Sequence, residues 1–420
     1  MEQKGNTRAN FAWNMIGSVF ESALSFVLLI LVNRTVGETG GGVFTLAFSH
    51  AQLMYYLGTL EVRPIHSTDV REKYAFADYF SLRTVSCAVM IAASLGYVLL
   101  LDGDPVKKRI MMILCLYKML DAFYDLFASM FQQHDRIAYS GQVSTLRVGL
   151  VLVGFAGVLR ATGNLEAACW TMAGVSLTVL LTFNLARWRQ FEGVPIRLQF
   201  GRCGEIVRAC LPLFVSVFVM LYISNAPKYA IDRYCSDVVQ NRYSILFMPA
   251  FVINLFSQFV LRPMLTPMAK LWAGGQVGPF RRNIGKMMAG IGLMTLLGMG
   301  GAWLLGIPIL QMFYGVDLAG ERNILMLVMF YGGLNAVNIF LYDMIAVTRN
   351  QKKQAGAYLI AAAAAAGLSP AMVQRWEMRG AIGASILALG LLDLMLTGII
   401  LYVLRRAERG ITRGDEAAEG

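Results

Sequence analysis

Apolar runs of membrane-spanning length, separated by short polar segments, recur along the whole chain. An α-helix needs roughly 20 mostly apolar residues to cross the hydrocarbon core of a bilayer. The pattern therefore predicts an all-α polytopic membrane protein with about 12 transmembrane helices. The predicted spans are Phe11–Val32, Val43–Leu60, Leu82–Leu101, Ile110–Phe131, Val143–Leu159, Ala167–Ala186, Ala209–Ile231, Tyr243–Leu261, Ile284–Ile307, Ile324–Val347, Ala355–Val373 and Ala381–Leu404.

A longer polar segment, Arg187–Arg208, divides these runs into two sets of six. An even number of spans inserts both halves with the same orientation, so we expect two six-helix bundles related by a pseudo-twofold axis along the membrane normal. The predicted domains are an N-terminal bundle of residues 1–200 and a C-terminal bundle of residues 201–420. An internal repeat supports this division. At one constant offset, Arg34 aligns with Arg233, Phe44 with Tyr243, and the pair Arg63-Pro64 with Arg262-Pro263.

Composition agrees with the pattern, because 57% of the chain is hydrophobic and only 15% is charged. Soluble proteins usually carry about 25% charged residues, so disorder, collagen-like repeats and a water-soluble enzyme are excluded.

The net charge of +11 comes from Lys and Arg that lie mostly in alternate segments between the spans. By the positive-inside rule both termini are predicted to be cytoplasmic, and no nucleic-acid partner is expected. Six cysteines without CxxC spacing and three histidines predict no disulfide framework and no metal site.

Four segments of the sequence resemble one known family. They are Glu61–Leu82 (EVRPIHSTDVREKYAFADYFSL), Asp121–Arg136 (DAFYDLFASMFQQHDR), Leu221–Asp232 (LYISNAPKYAID) and Phe247–Pro263 (FMPAFVINLFSQFVLRP). These segments and the six-plus-six layout are similar to bacterial polysaccharide flippases of the multidrug/oligosaccharidyl-lipid/polysaccharide exporter superfamily. The resemblance covers most of the chain and is silent on which glycan is moved.

The resemblance implies a flippase without enzymatic activity. Members of the family move a polyprenyl-diphosphate-linked oligosaccharide across the plasma membrane of a bacterium by alternating access. The expected partners are this lipid-linked substrate, membrane lipids and other polysaccharide-assembly membrane proteins. No cofactor is expected beyond a coupling ion, H⁺ or Na⁺.

Ionisable residues inside spans are costly, about 2.5–3.5 kcal/mol each on insertion scales, so each needs a reason. Lys118, Asp121 and Asp125 fall at i, i+3 and i+7 and so share one helix face. Two interpretations stay open for this face: a Lys118–Asp121 ion pair that only neutralises itself, or the lining of a water-filled cavity. The candidates for coupling or gating are Glu21, Asp121, Asp125, Asp343 and Asp393, with Asp125 and Asp343 favoured as structural locks.

The diphosphate of the implied substrate needs compensating cations, and guanidinium groups bind phosphate oxygens in a bidentate manner. The repeat places basic residues at both mouths of a cleft between the halves; the alternative is that they are interfacial anchors. The predicted diphosphate-binding residues are Arg34, Lys118, Lys228, Arg233 and Arg262. Neutral polar side chains suit a sugar better, and the predicted glycan contacts are Asn225, Asn254, Ser257 and Gln258. No catalytic residue is predicted.

Two other functions remain open from the sequence. A cation-coupled exporter of small amphipathic drugs, from the same superfamily, would need a mainly acidic cavity with Glu21 and Asp121 prevailing over the arginines. A membrane-embedded glycosyltransferase would need a carboxylate-rich loop, and the loops here are short and mainly basic. The sign of the charge that lines the cavity therefore separates the first two functions.

Overall fold

The structure is a computed structural model that describes residues 7–69, 72–101, 104–191, 196–348 and 350–418. Within its helices, the side chains of residues 7–11, 251–252, 254–263, 266, 351–352 and 410–418 lie outside the described residues. All regular secondary structure in these ranges is helical, which confirms the all-α prediction.

The helices are numbered here in chain order. They are α1 Thr7–Val36, α2 Glu38–Thr59, α3 Arg63–Thr68, α4 Phe76–Leu100, α5 Pro105–Gln133, α6 Ile137–Thr162, α7 Leu165–Val179, α8 Leu185–Trp188, α9 Cys203–Tyr234, α10 Asp237–Ala273, α11 Val277–Gly301, α12 Ile307–Tyr314, α13 Arg322–Val347 and α14 Gln351–Ala418. The π-helical turns Leu180–Asn184 and Ala302–Gly306 join α7 to α8 and α11 to α12.

Each predicted apolar run coincides with helix, within one residue at its ends. Eight helical stretches in the described ranges are long and apolar enough to cross a membrane by length and composition. One of them, Lys353–Arg409, contains the last two predicted runs. The helix α5 is not among the eight, and its charged residues explain this: Lys118, Asp121 and Asp125 are buried inside the protein. Their polar face lowers the hydropathy of the helix without exposing charge to lipid.

The chain divides into two compact units, Met1–Phe218 and Val219–Gly420, and the division falls within α9. The domain boundary at residue 200 and the pseudo-twofold axis stay predictions. In the N-terminal unit α1 packs along α6, and α2 packs against α4 and α5. Local capping sets where helices begin: the Asp104 carboxylate accepts from the Val106 amide ahead of α5, and the Asn164 side chain accepts from the Ala167 amide ahead of α7.

In the C-terminal unit α13 is the central helix, packed against α10, α11 and α14. The long helix α14 is in fact two helices, because Glu377 has non-helical backbone angles with φ 47°. The two segments fold back on each other closely. A β-carbon added at Gly380 would lie 2.0 Å from the Met372 carbonyl oxygen. This turn separates the last two predicted spans, which lie on either side of Glu377.

Candidate functional site

A polar cavity of about 450 Å³ lies inside the N-terminal unit. Residues of α1, α2, α5 and α6 form most of its wall, and Arg63 of α3 lies at its edge. Among the described residues, three cations and three carboxylates line it: Glu21, Arg63, Lys118, Asp121, Asp125 and Arg147. These charges form two groups, which we call the Arg147 cluster and the Asp125 cluster.

The Arg147 cluster consists of Glu21, Lys118, Asp121, Ser144 and Arg147. The Arg147 guanidinium donates through Nη1 to Asp121 Oδ1, and through Nη2 to Glu21 Oε1 at 3.1 Å. The other Asp121 oxygen accepts from Lys118 Nζ at 2.9 Å, and the Ser144 hydroxyl donates to Glu21 Oε1. Arg147, Lys118 and Asp121 are buried, so each of these charges depends on its partners for stabilisation.

The Asp125 cluster consists of Arg63, Arg83 and Asp125. Arg83 Nη2 donates to Asp125 Oδ2 at 2.9 Å, and Arg63 Nη1 donates to Asp125 Oδ1 at 3.3 Å. Arg83 also donates to the Gly58 carbonyl at 3.1 Å, which ties the end of α2 to α4 and α5. Arg83 is buried, whereas the Arg63 side chain is 40% exposed. The structural lock at Asp125 stays a prediction, and the arrangement leaves Arg63 partly exposed in the lining of the cavity.

Close contact between α1 and α6 brings Glu21 to Arg147. A β-carbon on Gly141 would lie 2.1 Å from the Trp13 carbonyl oxygen, and one on Gly17 would lie 3.0 Å from Gly141 Cα. The two backbones therefore touch, which only glycine permits. Glu21 lies one helical turn beyond Gly17 on α1, and Arg147 lies six residues beyond Gly141 on α6. The small residues and the ion pair thus belong to the same helix contact.

Aromatic rings complete the surroundings of the two buried cations. Lys118 Nζ lies 5.0 Å from the ring centroid of Phe48 and 5.4 Å from that of Tyr117. The Arg147 guanidinium lies 4.3 Å from the Tyr124 ring, and the Tyr124 hydroxyl donates to the Ser176 carbonyl at 2.8 Å. The negative faces of these rings favour the cations and hold them in fixed positions.

Of the other predicted cations, those with described side chains, Arg34, Lys228 and Arg233, are not among the residues that line this cavity. Arg34 lies exposed near the end of α1, and Arg233 lies exposed at the end of α9, 5.6 Å from the Tyr234 ring. Lys228 is half-buried in the C-terminal unit. The side chains of Arg262, Asn254, Ser257 and Gln258 lie outside the described residues. The predicted cleft between the halves stays a prediction.

Two further predicted site residues, Asn225 and Asp343, lie in the C-terminal unit. Asn225 is buried and its amide donates to the Leu221 carbonyl at 2.9 Å, within its own helix. Asp343 is half-buried on α13. No role as glycan contact or gate follows from these positions, and both assignments stay predictions.

A buried polar cluster in the C-terminal unit contains Asp393. The Tyr358 hydroxyl donates to Asn338 Oδ1 at 3.1 Å, and Asn338 Nδ2 donates to Asp393 Oδ1 at 3.0 Å. All three side chains are buried, and Asp393 Oδ2 has no hydrogen-bond partner among the described residues. Asn338 is therefore the link that satisfies both of its neighbours.

Asn338→Leu is expected to lower the free energy of unfolding by about 2 kcal/mol or more, because Asp393 Oδ1 would stay buried without its partner and the Tyr358 hydroxyl would lose its bond to Asn338. Thermal unfolding of the purified protein in detergent micelles measures the change. Asn335→Leu, on the same helix at a half-buried position, is the matched control and should unfold close to the wild type. Equal losses in the two variants would contradict the cluster's role.

Sequence reasoning missed two arginines of these clusters as site residues, Arg147 in the cavity lining and Arg83 behind Asp125. In the sequence, Arg147 served only to predict the orientation of the chain in the membrane, and Arg83 served for that and for the internal repeat, where it aligns with Arg282. Yet Arg147 lies four residues inside a predicted span, which is the same signal that singled out Lys118. In the described part of the chain, no group of three or more His, Cys, Asp and Glu side chains is placed to hold a metal ion.

Comparison with known proteins finds similarity in structure only. No family model matches the sequence. No curated protein sequence matches it either. The chain is similar to the inward-facing structure of a multidrug resistance MATE family transporter of the MOP superfamily, with a TM-score of 0.67 and 12% identity over 92% of this chain and 94% of that chain.

Two further solved structures have the same fold. The lipid II flippase MurJ in its inward closed conformation matches with a TM-score of 0.68 and 11% identity, over 96% of this chain and 89% of that one. A MOP superfamily transporter from Pyrococcus furiosus matches with a TM-score of 0.56 and 11% identity, over 96% and 95% of the two chains. The chain therefore has the two-bundle, all-helical fold of MATE and MurJ transporters.

Proposed function

We propose that this protein is a flippase that moves a polyprenyl-diphosphate-linked oligosaccharide across the plasma membrane of a bacterium by alternating access. The single observation that carries the proposal is the ion pairing in the N-terminal cavity. Each of its three carboxylates is in an ion pair with an arginine or a lysine of the same unit. Arg83 is a second cation on Asp125, and Glu61 interacts electrostatically with Arg63 and Arg83, so every carboxylate among the described lining residues already has a cationic partner.

An accessible guanidinium makes this cavity suited to phosphate. The Arg63 side chain lines the cavity and is 40% exposed. Hydrogen bonds from guanidinium to phosphate oxygens are short, strong and often bidentate. In this function the diphosphate would enter the cavity while the polyprenyl chain stays in lipid. The protein acts as a carrier, and no residue is assigned a catalytic role.

The second candidate function is cation-coupled export of amphipathic drugs. One observation favours it: Glu21 lines the cavity and its side chain is 52% exposed, as a site for an organic cation would require. The similar solved structures support both functions equally, because they include a multidrug transporter and a lipid flippase. The ion pairing favours the flippase, since the carboxylate that an organic cation would need already pairs with Arg147.

Reconstituted vesicles test the proposal directly. The full-length protein is placed in liposomes with a nitrobenzoxadiazole-labelled prenyl-diphosphate disaccharide, and dithionite reduces only label in the outer leaflet. We expect nearly all of the label to become reducible with the wild type, against about half in protein-free vesicles. Arg63→Gln removes one phosphate donor and should slow the exchange about tenfold, as loss of a charge-assisted hydrogen bond predicts.

The matched control is Arg109→Gln. Arg109 also pairs with a carboxylate, Glu166, at 2.9 Å, but on the exposed surface of the same unit. This variant should exchange the label at the wild-type rate. Exchange no faster than in protein-free vesicles, together with accumulation of tetraphenylphosphonium driven by a proton or sodium gradient, would reject the flippase in favour of drug export.

A further inference from the structure

Glu21 and Arg147 both line the cavity and form an ion pair there. Glu21 Oε1 lies 3.1 Å from Arg147 Nη2, and the Ser144 hydroxyl donates to the same oxygen. The Arg147 side chain is only 4% exposed, whereas that of Glu21 is 52% exposed. Of the two partners in this ion pair, the guanidinium is therefore fixed in the wall, and the carboxylate is the exposed one.

The charges of the Arg147 cluster balance only when Glu21 is included. Lys118 and Arg147 supply two positive charges, and Asp121 and Glu21 supply two negative ones. Asp121 is held from both sides by the two cations, and its side chain is only 10% exposed. Removal of Glu21 from this set leaves one uncompensated positive charge, which is costly in a poorly hydrated site. Another anion must then replace it.

We propose that Glu21 is an internal anion that occupies Arg147 while the cavity is empty, and that a phosphate group of the substrate displaces it. This inference rests on the proposed function and adds a specificity-determining residue to it. The exchange of one anion for another keeps the cluster neutral at each stage. Without substrate, the protein could change conformation while Glu21 still neutralises the buried Arg147. A sugar that lacks a phosphate would not displace Glu21, so the exchange also selects for the phosphate group.

The geometry supports displacement of Glu21 rather than of Asp121. Glu21 contacts the cluster through a single oxygen, Oε1, which accepts from both Ser144 and Arg147. Asp121 uses both of its oxygens, one for each cation. Glu21 also lies on α1, a different helix from Lys118 and Asp121 on α5. Its release therefore leaves the buried Lys118–Asp121–Arg147 chain intact.

Binding of farnesyl diphosphate to the full-length protein in lipid nanodiscs tests the inference by calorimetric titration at constant salt. Glu21→Gln removes the competing charge while keeping the shape of the side chain. We expect it to bind about tenfold more tightly than the wild type, equivalent to about 1.4 kcal/mol. Ser144→Ala removes one hydrogen bond that holds Glu21, and should shift affinity in the same direction by a smaller factor.

Glu166→Gln is the matched control, because it breaks an arginine–glutamate pair elsewhere in the same unit and should leave affinity unchanged. Melting temperatures of all variants confirm that each is folded. Wild-type binding with unchanged or weaker binding by Glu21→Gln would overturn this inference and leave the proposed function standing. No farnesyl diphosphate binding by any variant, with tetraphenylphosphonium binding that Glu21→Gln abolishes, would overturn both.

Discussion

Arg147→Met is expected to lower the free energy of unfolding by about 3–5 kcal/mol, the usual cost of removing one partner from a buried ion pair. Arg147 is 3% exposed and forms ion pairs with two carboxylates, those of Asp121 and Glu21. Its loss leaves the cluster with two negative charges and only Lys118 to balance them. Thermal unfolding of the purified protein in detergent micelles measures the effect.

A second substitution separates charge from packing. Glu21→Gln in the Arg147→Met background restores neutrality, since Asp121 and Lys118 remain as one pair. The double variant should therefore be more stable than Arg147→Met alone, a coupling that a double-mutant cycle reports. Arg109→Met removes an exposed arginine from a comparable pair and should melt close to the wild type. If Arg147→Met melted as that control does, the buried cluster would not stabilise the bundle as described.

Gly141→Val is expected to disrupt the contact between α1 and α6 and to abolish diphosphate binding with it. The added side chain would start 2.1 Å from the Trp13 carbonyl oxygen and 2.8 Å from the Asn14 amide nitrogen. Both are backbone atoms that cannot rotate away, so the helices must separate. We expect a loss of about 3 kcal/mol or more, at the upper end of overpacking costs.

Gly149→Val on the same helix provides the control, because a β-carbon at Gly149 meets nothing within 4 Å. It introduces the same branched residue into the same helix without the clash. The measurements are the melting temperature and the farnesyl diphosphate titration. Similar melting temperatures for the two variants would show that α1 and α6 do not depend on backbone contact at Gly141.

The helices were largely predictable because membrane insertion depends on local hydropathy. Every apolar run proposed from the sequence lies in a helix, including the last two, which the turn at Glu377 separates within α14. The shared face of Lys118, Asp121 and Asp125 was also predictable, since helical periodicity alone places them together. Of the two interpretations of that face, the structure shows features of both. The Lys118–Asp121 pair forms, and the same face lines a cavity.

The pairing of that face with other helices was not predictable. Nothing in the local sequence indicates that Arg147 binds Asp121 and Glu21, or that Arg83 and Arg63 share Asp125. These contacts join residues of α1, α3, α4, α5 and α6, which lie far apart in the chain. Treating every basic residue near a span end as a membrane anchor concealed Arg83 and Arg147, although both fall inside predicted spans.

The sequence by itself determined that this chain is an all-helical membrane protein. The length of the apolar runs, the low content of charged residues and the distribution of Lys and Arg are local properties, and they can be read without knowing which helices are neighbours. Tertiary structure alone decided which charges meet, because ion pairing depends on distances between helices that glycine contacts such as Gly17–Gly141 control. The charges that line a cavity are decided by which helices are neighbours in the folded protein. In this protein the ion pairs of the cavity form where α1, α5 and α6 meet around Arg147.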